Sequence, residues 1–308
     1  MANSNSEKFK SGMVSIVGRP NVGKSTLLNS IVGEKIAIVS KVPQTTRNQV
    51  RGIYGDERGQ IVFIDTPGLH MGKDKLDKFM HKAASSTVYD VDCVIHLVDV
   101  RDEVGPEEEA IAKRLRDLDV PVILGLNKVD QKANKTQDYI ALWERVKGKP
   151  IGEIENLTMI TLSGKKNINI DSLLDILYSH LPEGPALYPA DTVCDIPRKM
   201  VISDIIREKL INILRHELPH SIAVVVESMQ PRKRKTIHIS ALILVERDTH
   251  KIIVIGKKGD NLKRIGTYAR KELEDLLESK VFLELHVKTK KNWRDNSSLL
   301  REMGYDFM

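Results

Sequence analysis

Gly18-Arg19-Pro20-Asn21-Val22-Gly23-Lys24-Ser25 stands between a short β-rich apolar run, MVSIV, and a segment with helical patterning. No other stretch constrains the fold as strongly. Glycines and a Lys-Ser pair at this spacing let consecutive backbone N–H groups curl around phosphate oxygens. Lys24 then neutralises the terminal phosphates and the Ser25 hydroxyl reaches Mg²⁺. The loop needs a strand before it and a helix after it, because the helix N-terminus supplies the rest of the anion site. Thr26, next in line, completes the stretch expected to touch the nucleotide.

The rest of the chain up to about Leu181 repeats that βα grammar. MVSIV, IVFI, CVIHLV, VPVILGL and LTMITL alternate with helical patterns after Lys24 and at 106–118, 135–147 and 170–180. Apolar runs separated by helices predict an α/β domain with a mainly parallel sheet covered on both faces. At 308 residues the chain is long for one core and comfortable for two. Four prolines between Pro182 and Pro197 mark the boundary. The expected division is a disordered start at 1–11, a nucleotide domain at 12–181, a linker at 182–198, and a second domain with a C-terminal tail at 199–308.

Charge separates the same two parts. Residues 201–308 hold 21 Lys and Arg against 15 Asp and Glu, while residues 1–200 hold 27 of each, so the whole formal charge of +6 lies in the last third. A neutral part joined to a basic one suggests a polyanionic partner, either nucleic acid or an anionic membrane. Cys93 and Cys194 lack disulfide or zinc spacing and fit a reducing cytoplasm. No apolar run has the roughly 18–20 residues of a membrane span, and the polar start MANSNSEKFKSG lacks a signal's apolar stretch. Any membrane contact is expected to be peripheral.

Asn127-Lys128-Val129-Asp130, at the end of VPVILGL, identifies the base. A carboxylate only accepts, so Asp130 suits the N1–H and exocyclic amine of guanine, whereas adenine offers an acceptor at N1. Between the two motifs lies Asp65-Thr66-Pro67-Gly68 after IVFI. Asp65 would hold Mg²⁺ through water, and the Gly68 N–H would touch the γ-phosphate. Thr46, in PQTTR, would close over Mg²⁺ from the other side, so that phosphate loss releases both loops. Lys24, Thr46 and Gly68 are therefore the expected catalytic contributors, and Ser25, Thr46 and Asp65 the metal set. Leu69 occupies the place where Ras-like switches carry a water-positioning glutamine, and an aliphatic side chain cannot polarise water, so slow intrinsic turnover is expected. Asn21 faces the phosphates in such a loop, with two readings open: a potassium ligand or a turn residue.

The second domain shows Ile202, Ile205, Ile206, Leu210 and Ile213 at helical spacing, then two β-like runs flanking PRKRK, an amphipathic helix from about Asn261 to Glu278, and the alternating strand VFLELHVK. Gly256-Lys257-Lys258-Gly259 opens that helix. A GxxG loop before a helix, in an α-β-β context, points to the KH fold, in which it clamps about four single-stranded nucleotides. For Arg232-Lys233-Arg234-Lys235 a solvated charge run is the default and a phosphate contact the alternative. Trp293 either stacks on a base or packs the tail, and packing is favoured. His96 reads as an interior residue, and Glu107–Glu109 as a helix start.

In order and spacing GRPNVGKS, PQTTR, DTPG and NKVD resemble the Era family of bacterial GTPases, whose hydrophobic-substituted class suits Leu69. The resemblance covers nearly the whole chain and implies a P-loop GTPase domain followed by a type II KH domain. It also implies a loop backing the guanine at Ser163-Gly164-Lys165, with Gly164 where an alanine is usual. For Lys251–Ile255 propensity favours a strand, and the KH pattern implies a short helix. The implied activity is Mg²⁺-dependent hydrolysis of GTP to GDP by a monomer. The implied partner is single-stranded RNA near the 3′ end of small-subunit ribosomal RNA, in the maturing pre-30S particle. The alternatives are an RNA-binding assembly factor with static guanine nucleotide, and a GTPase peripheral to the inner membrane.

Overall fold

Apolar runs of six or seven residues are too short for helices and too continuous for strands with one wet face, so they become the inner strands of a sheet covered on both sides. In the computed structural model, which describes residues 8–40, 50–65, 90–132, 135–214, 221–233 and 235–303, these are β3 (Gly59–Asp65), β4 (Cys93–Asp99) and β5 (Val122–Asn127), all buried throughout. β1 (Lys10–Val17) and β6 (Leu157–Leu162) pair parallel with them. Helices α1 (Lys24–Val32), α2 (Pro106–Arg116), α3 (Thr136–Lys147) and α4 (Ile170–His180) occupy the positions the periodicity predicts. Pro106 opens α2 and Glu107, Glu108 and Glu109 fill its first turn, so the acidic run is a helix start.

Sequence patterning misses one strand, β2 (Val50–Asp56), which pairs antiparallel with β3 at the sheet edge. Gly52, within this strand, is there for packing. A Cβ on it would come within 2.6 Å of Leu28 and 2.8 Å of Ile36. The strand order is β2-β3-β1-β4-β5-β6. Chain direction outward from β1 therefore reverses, and the crevice at the carboxyl ends of β1 and β4 is where such sheets take ligands.

The chain divides into two compact units, the first ending at Asp195 and the body of the second starting at Ile196. The proline-marked stretch expected as a linker thus folds with the first unit over most of its length. It forms no helix, but its backbone is held: Ser11 N–H donates to Pro182 O at 3.1 Å and Ile53 N–H to Val193 O at 2.9 Å. Buried Gln60 accepts from the N–H groups of Leu187 and Tyr188, both at 2.8 Å, and donates to Tyr188 O at 2.9 Å. Prolines remove ladder donors, so a side-chain amide supplies the bonds instead.

In the second unit α5 (Arg198–Leu214), β7 (Ile222–Arg232), β8 (Thr236–Val245), α6 (Asp248–Ile255), α7 (Asp260–Leu277) and β9 (Lys280–Thr289) follow in order. The sheet order is β7-β8-β9, with β8 and β9 parallel. Ile239, Ala241, Ile243 and Val281 pack on Ile202, Ile206, Ile265 and Ala269 on the inner face. Lys251–Ile255 is helical despite its β-branched content, because buried Val254 and partly buried Ile253 contribute to that core from consecutive helical positions. On the outer face Ala223, Val225 and Leu244 are covered by Trp293, Leu300 and Met303 of the tail, where α8 spans Ser297–Glu302. The packing reading of Trp293 is therefore the observed one. Its side chain is fully buried and its indole N–H donates to Ser221 O at 3.3 Å.

Removing that side chain leaves a large cavity under the tail. Trp293→Ala should cost about 3–5 kcal/mol of stability, seen as an earlier urea transition and faster hydrogen exchange in β7 and β8, with the first unit's exchange unchanged.

Candidate functional site

The carboxyl ends of five strands converge, and each delivers one element of the site. β1 leads into the phosphate loop, β3 ends in Asp65, β4 in Asp99, β5 in Asn127, and Ser163 follows β6. Cross-strand register sets their heights: Ile16 pairs with Asp65, and Asn127 with both Asp99 and Leu162.

Gly23 caps α1 with φ 109°, a left-handed backbone that side chains rarely adopt, and a Cβ there would lie 2.5 Å from Asn127 Nδ2. That close approach is used. Asn127 Nδ2 donates to Val22 O at 2.7 Å, while its Oδ1 accepts from Gly164 N–H at 3.1 Å. One amide thereby ties the phosphate loop to both guanine-side loops. At Gly164, where an alanine is usual in the resembled family, a Cβ would stand 3.0 Å from the Leu27 backbone, tighter than ordinary contact.

Asp130 is exposed, and Ser163 Oγ donates to its Oδ1 at 2.7 Å. That bond orients the carboxylate. Lys128 holds the motif in place from a left-handed backbone (φ 67°). Its ammonium donates to Asn21 O and to Asp99 Oδ2, both at 2.6 Å. Asn21 itself has φ 67°, which is the geometry of a turn residue. Lys165 is exposed beside Ser163.

Sequence reasoning missed Asp99. Burial opposes its ionisation, but hydrogen bonds from Arg101 and Lys128 outweigh that and hold its carboxyl below the usual carboxylate range. The available signal was a carboxylate closing an apolar strand. Arg19 faces away from the base loops, toward Glu107 at 3.2 Å, and so links the phosphate loop to α2.

Lys24 and Asp65 are both buried. The Lys24 ammonium donates to Gly18 O at 2.8 Å and Arg19 O at 2.9 Å. Burial lowers its pKa, only partly offset by Asp65 and Glu108. Burial also raises Asp65 to about 6, against the pull of Lys24 and a 2.6 Å hydrogen bond from Ser25 Oγ. The second Asp65 oxygen, Oδ1, is buried without a hydrogen-bond partner among the described residues. A hydroxyl and a carboxylate side by side, one oxygen uncommitted, suit a hard divalent cation that takes one or two protein oxygens plus phosphate oxygens. These residues fit Mg²⁺. Thr46, Thr66, Pro67, Gly68 and Leu69 lie outside the described residues.

His96 is buried in β4. The Trp143 indole donates to its Nδ1 at 3.3 Å, and its Nε2 stands 3.6 Å from Glu108. It is an interior residue, as expected.

In the second unit Gly256 has φ 75° and ψ 176°, a region open essentially to glycine alone, and a Cβ there would meet Asn261 at 2.8–2.9 Å. Asn261 donates to Ile253 O at 2.9 Å and fastens the turn. Lys257 and Lys258 are exposed, Gly259 caps α7, and Ile252 is 70 % exposed on the preceding helix. Cationic side chains, a helix N-terminus and an apolar surface beside them can hold a phosphate backbone with its bases unstacked.

Comparison with known proteins agrees with this geometry. A family model described as 50S ribosome-binding GTPase matches residues 13–128, and a KH domain model matches residues 217–294. GTPase Era of Geobacter sp. (strain M21) is 47% identical over 304 residues, covering 97% of this chain and 99% of that protein. GTPase Era of Clostridium beijerinckii is 46% identical over 297 residues, covering 96% and 98%. Two crystal structures superpose over 97% of this chain and 100% of theirs at 36% identity. One is a variant of Aquifex aeolicus Era bound to GDP and aluminium fluoride (TM-score 0.89). The other is Era with MgGDPNP and nucleotides 1506–1542 of 16S ribosomal RNA (TM-score 0.88).

The raised Asp65 value carries a testable sign. A carboxyl with a folded-state pKa near 6 destabilises the fold once ionised. The penalty is complete above about pH 6 and gone below about pH 4. Without nucleotide, the protein should gain on the order of 3 kcal/mol from this group as the pH falls from about 6 to about 4, and Asp65→Asn should flatten that part of the urea-stability curve.

Proposed function

The chain belongs to the Era family of GTPases, and from that premise we propose that its first unit binds and hydrolyses GTP while its second binds single-stranded RNA near the 3′ end of 16S ribosomal RNA during assembly of the small ribosomal subunit. The observation that carries the nucleotide half is the Asn127 amide joined to both Val22 O and Gly164 N–H. It makes phosphate binding and base reading one rigid site. Asp130, oriented by Ser163, reads guanine. Gly18, Pro20, Val22, Gly23 and Thr26 shape the cradle, Lys24 neutralises the β- and γ-phosphates, and Ser25, Thr46 and Asp65 hold magnesium. Magnesium, when bound, would bridge phosphate oxygens and offset charge as the γ-phosphoryl departs.

Thr46 and Gly68 are the proposed γ-phosphate sensors. Hydrolysis would free them and turn chemistry into motion. Leu69 offers no polar atom to the attacking water, which makes the intrinsic rate slow. On the RNA side Gly256 and Gly259 let the backbone approach, and Lys257 and Lys258 neutralise it. GxxG geometry favours RNA over an anionic membrane as the partner of the basic unit, and a monomer acting in the cytoplasm satisfies all of these roles.

Two hydrogen bonds to an ionised acceptor are at stake at Asp130, each worth about 1.5–3 kcal/mol. Asp130→Ala should weaken GTP at least ~100-fold in calorimetry and leave weak ATP binding unchanged; equal affinity of the parent protein for the two nucleotides would refute guanine selectivity. A Cβ at Gly259 would meet no neighbour, but its φ of 82° is a backbone that side chains rarely adopt, so Gly259→Asp brings both a negative charge and local strain to the loop. It should abolish capture of single-stranded RNA and spare GTP affinity, and loss of both would contradict the division of labour.

A further inference from the structure

Among the described residues, the outer face of the second unit's sheet is covered along only part of its length. Where Leu242 and Leu244 lie, the tail packs over it. Toward the β7–β8 turn no described residue of the tail packs on it, and cross-strand pairs align a different set of side chains: Arg232 with Thr236 and Lys280, and Gln230 with His238 and Phe282. Phe282 is 52 % exposed, large for an aromatic ring on a sheet face. His238 stacks against it, with centroids 5.4 Å apart and planes at 27°, and is itself held by Glu284 Oε2 at 2.9 Å. The Arg232 guanidinium stands 6.0 Å from the same ring centre. Pro231, Arg232, Lys233, Thr236 and Phe282 line an open groove of about 620 Å³.

From this arrangement we propose a second RNA contact: an unpaired base stacks on the free face of Phe282, and Arg232 and Lys233 take the flanking phosphates. It rests on the RNA-binding reading above but uses a different surface. The GxxG loop joins α6 and α7, whose buried residues pack on the inner face. A sheet-face aromatic propped by a second ring is rigid, so stacking a base on it orders little. Base–aromatic stacking is strong and tolerant of sequence. Charge agrees, because among the described residues no carboxylate lies within ion-pair distance of Arg232 or Lys233, and Glu284 and Glu227 are engaged by His238 and Ser240. An exposed phenyl ring costs solubility without a partner, and RNA offers that partner in a basic unit.

The test uses the full chain and two single-stranded RNAs from the 3′ end of the small-subunit ribosomal RNA. One is about four nucleotides long and can fill only the GxxG loop; the other is several times longer. Phe282→Ala should weaken the long RNA about tenfold and leave the short one unchanged, Phe282→Trp should restore binding, and Arg232→Gln with Lys233→Gln should flatten the salt dependence for the long RNA only. Ultraviolet crosslinking should join the long RNA to the peptide containing Phe282. Unchanged long-RNA affinity in Phe282→Ala overturns the proposal, as does equal loss for both lengths. So does loss of binding to phosphatidylglycerol vesicles with RNA affinity intact, which would assign the patch to lipid. If the parent protein binds neither RNA, the reading of the GxxG unit has failed as well, and the vesicle arm reports what the patch binds.

Discussion

The nucleotide site depends on one buried amide. Asn127 reaches across from β5 to a carbonyl of the phosphate loop and to an N–H of the loop after β6. It can do so only because position 23 lacks a side chain. A hydrogen bond of this kind has a modest net worth, but an unmet partner in a buried site costs more. Val22 O and Gly164 N–H would both lose their partner without it. That coupling makes the phosphate cradle and the base pocket a single object, so recognition of guanine and positioning of the triphosphate are set together.

Around that tie the electrostatics are deliberately unbalanced. Lys24 and Asp65 are buried within one cluster, yet burial governs both, lowering the first and raising the second. Their mutual attraction does not recover the desolvation cost of either charge. In the proposed roles, phosphates would favour the charged lysine and a divalent cation the charged carboxylate, so ligand binding would relieve a cost that folding put there. Asp99 shows the opposite balance. Its carboxylate is held ionised by Arg101 and Lys128 and serves to anchor the guanine motif.

The second unit separates its surfaces by the pleat of one sheet. Alternate residues of β8 and β9 face the helices and build the core, and the intervening ones face outward. The inner side thereby carries the helices that present GxxG, and the outer side is shared between the tail and the proposed Phe282 platform. A hairpin loop that reads as a plain charge run in one dimension becomes, beside an aromatic ring from a strand 50 residues away in sequence, a defined groove.

The motifs were legible in the sequence because their chemistry is local. A phosphate loop, NKVD, a GxxG turn and the runs that became β3 to β6 each owe their form to residues a few positions apart. Other features depend on what lies opposite. β2 is a strand because β3 offers it an edge and α1 leaves no room beside Gly52 for a side chain. The proline-marked stretch is fixed because Gln60 answers its backbone, and Lys251–Ile255 is helical because the core takes Val254 at that spacing. Trp293 packs because Ala223 and Val225 leave space for it. Sequence alone named the groups expected to meet phosphate, base and RNA backbone. Tertiary structure alone decided which side chains hold those groups in place, since contacts made across a sheet join positions that have no periodic relation along the chain.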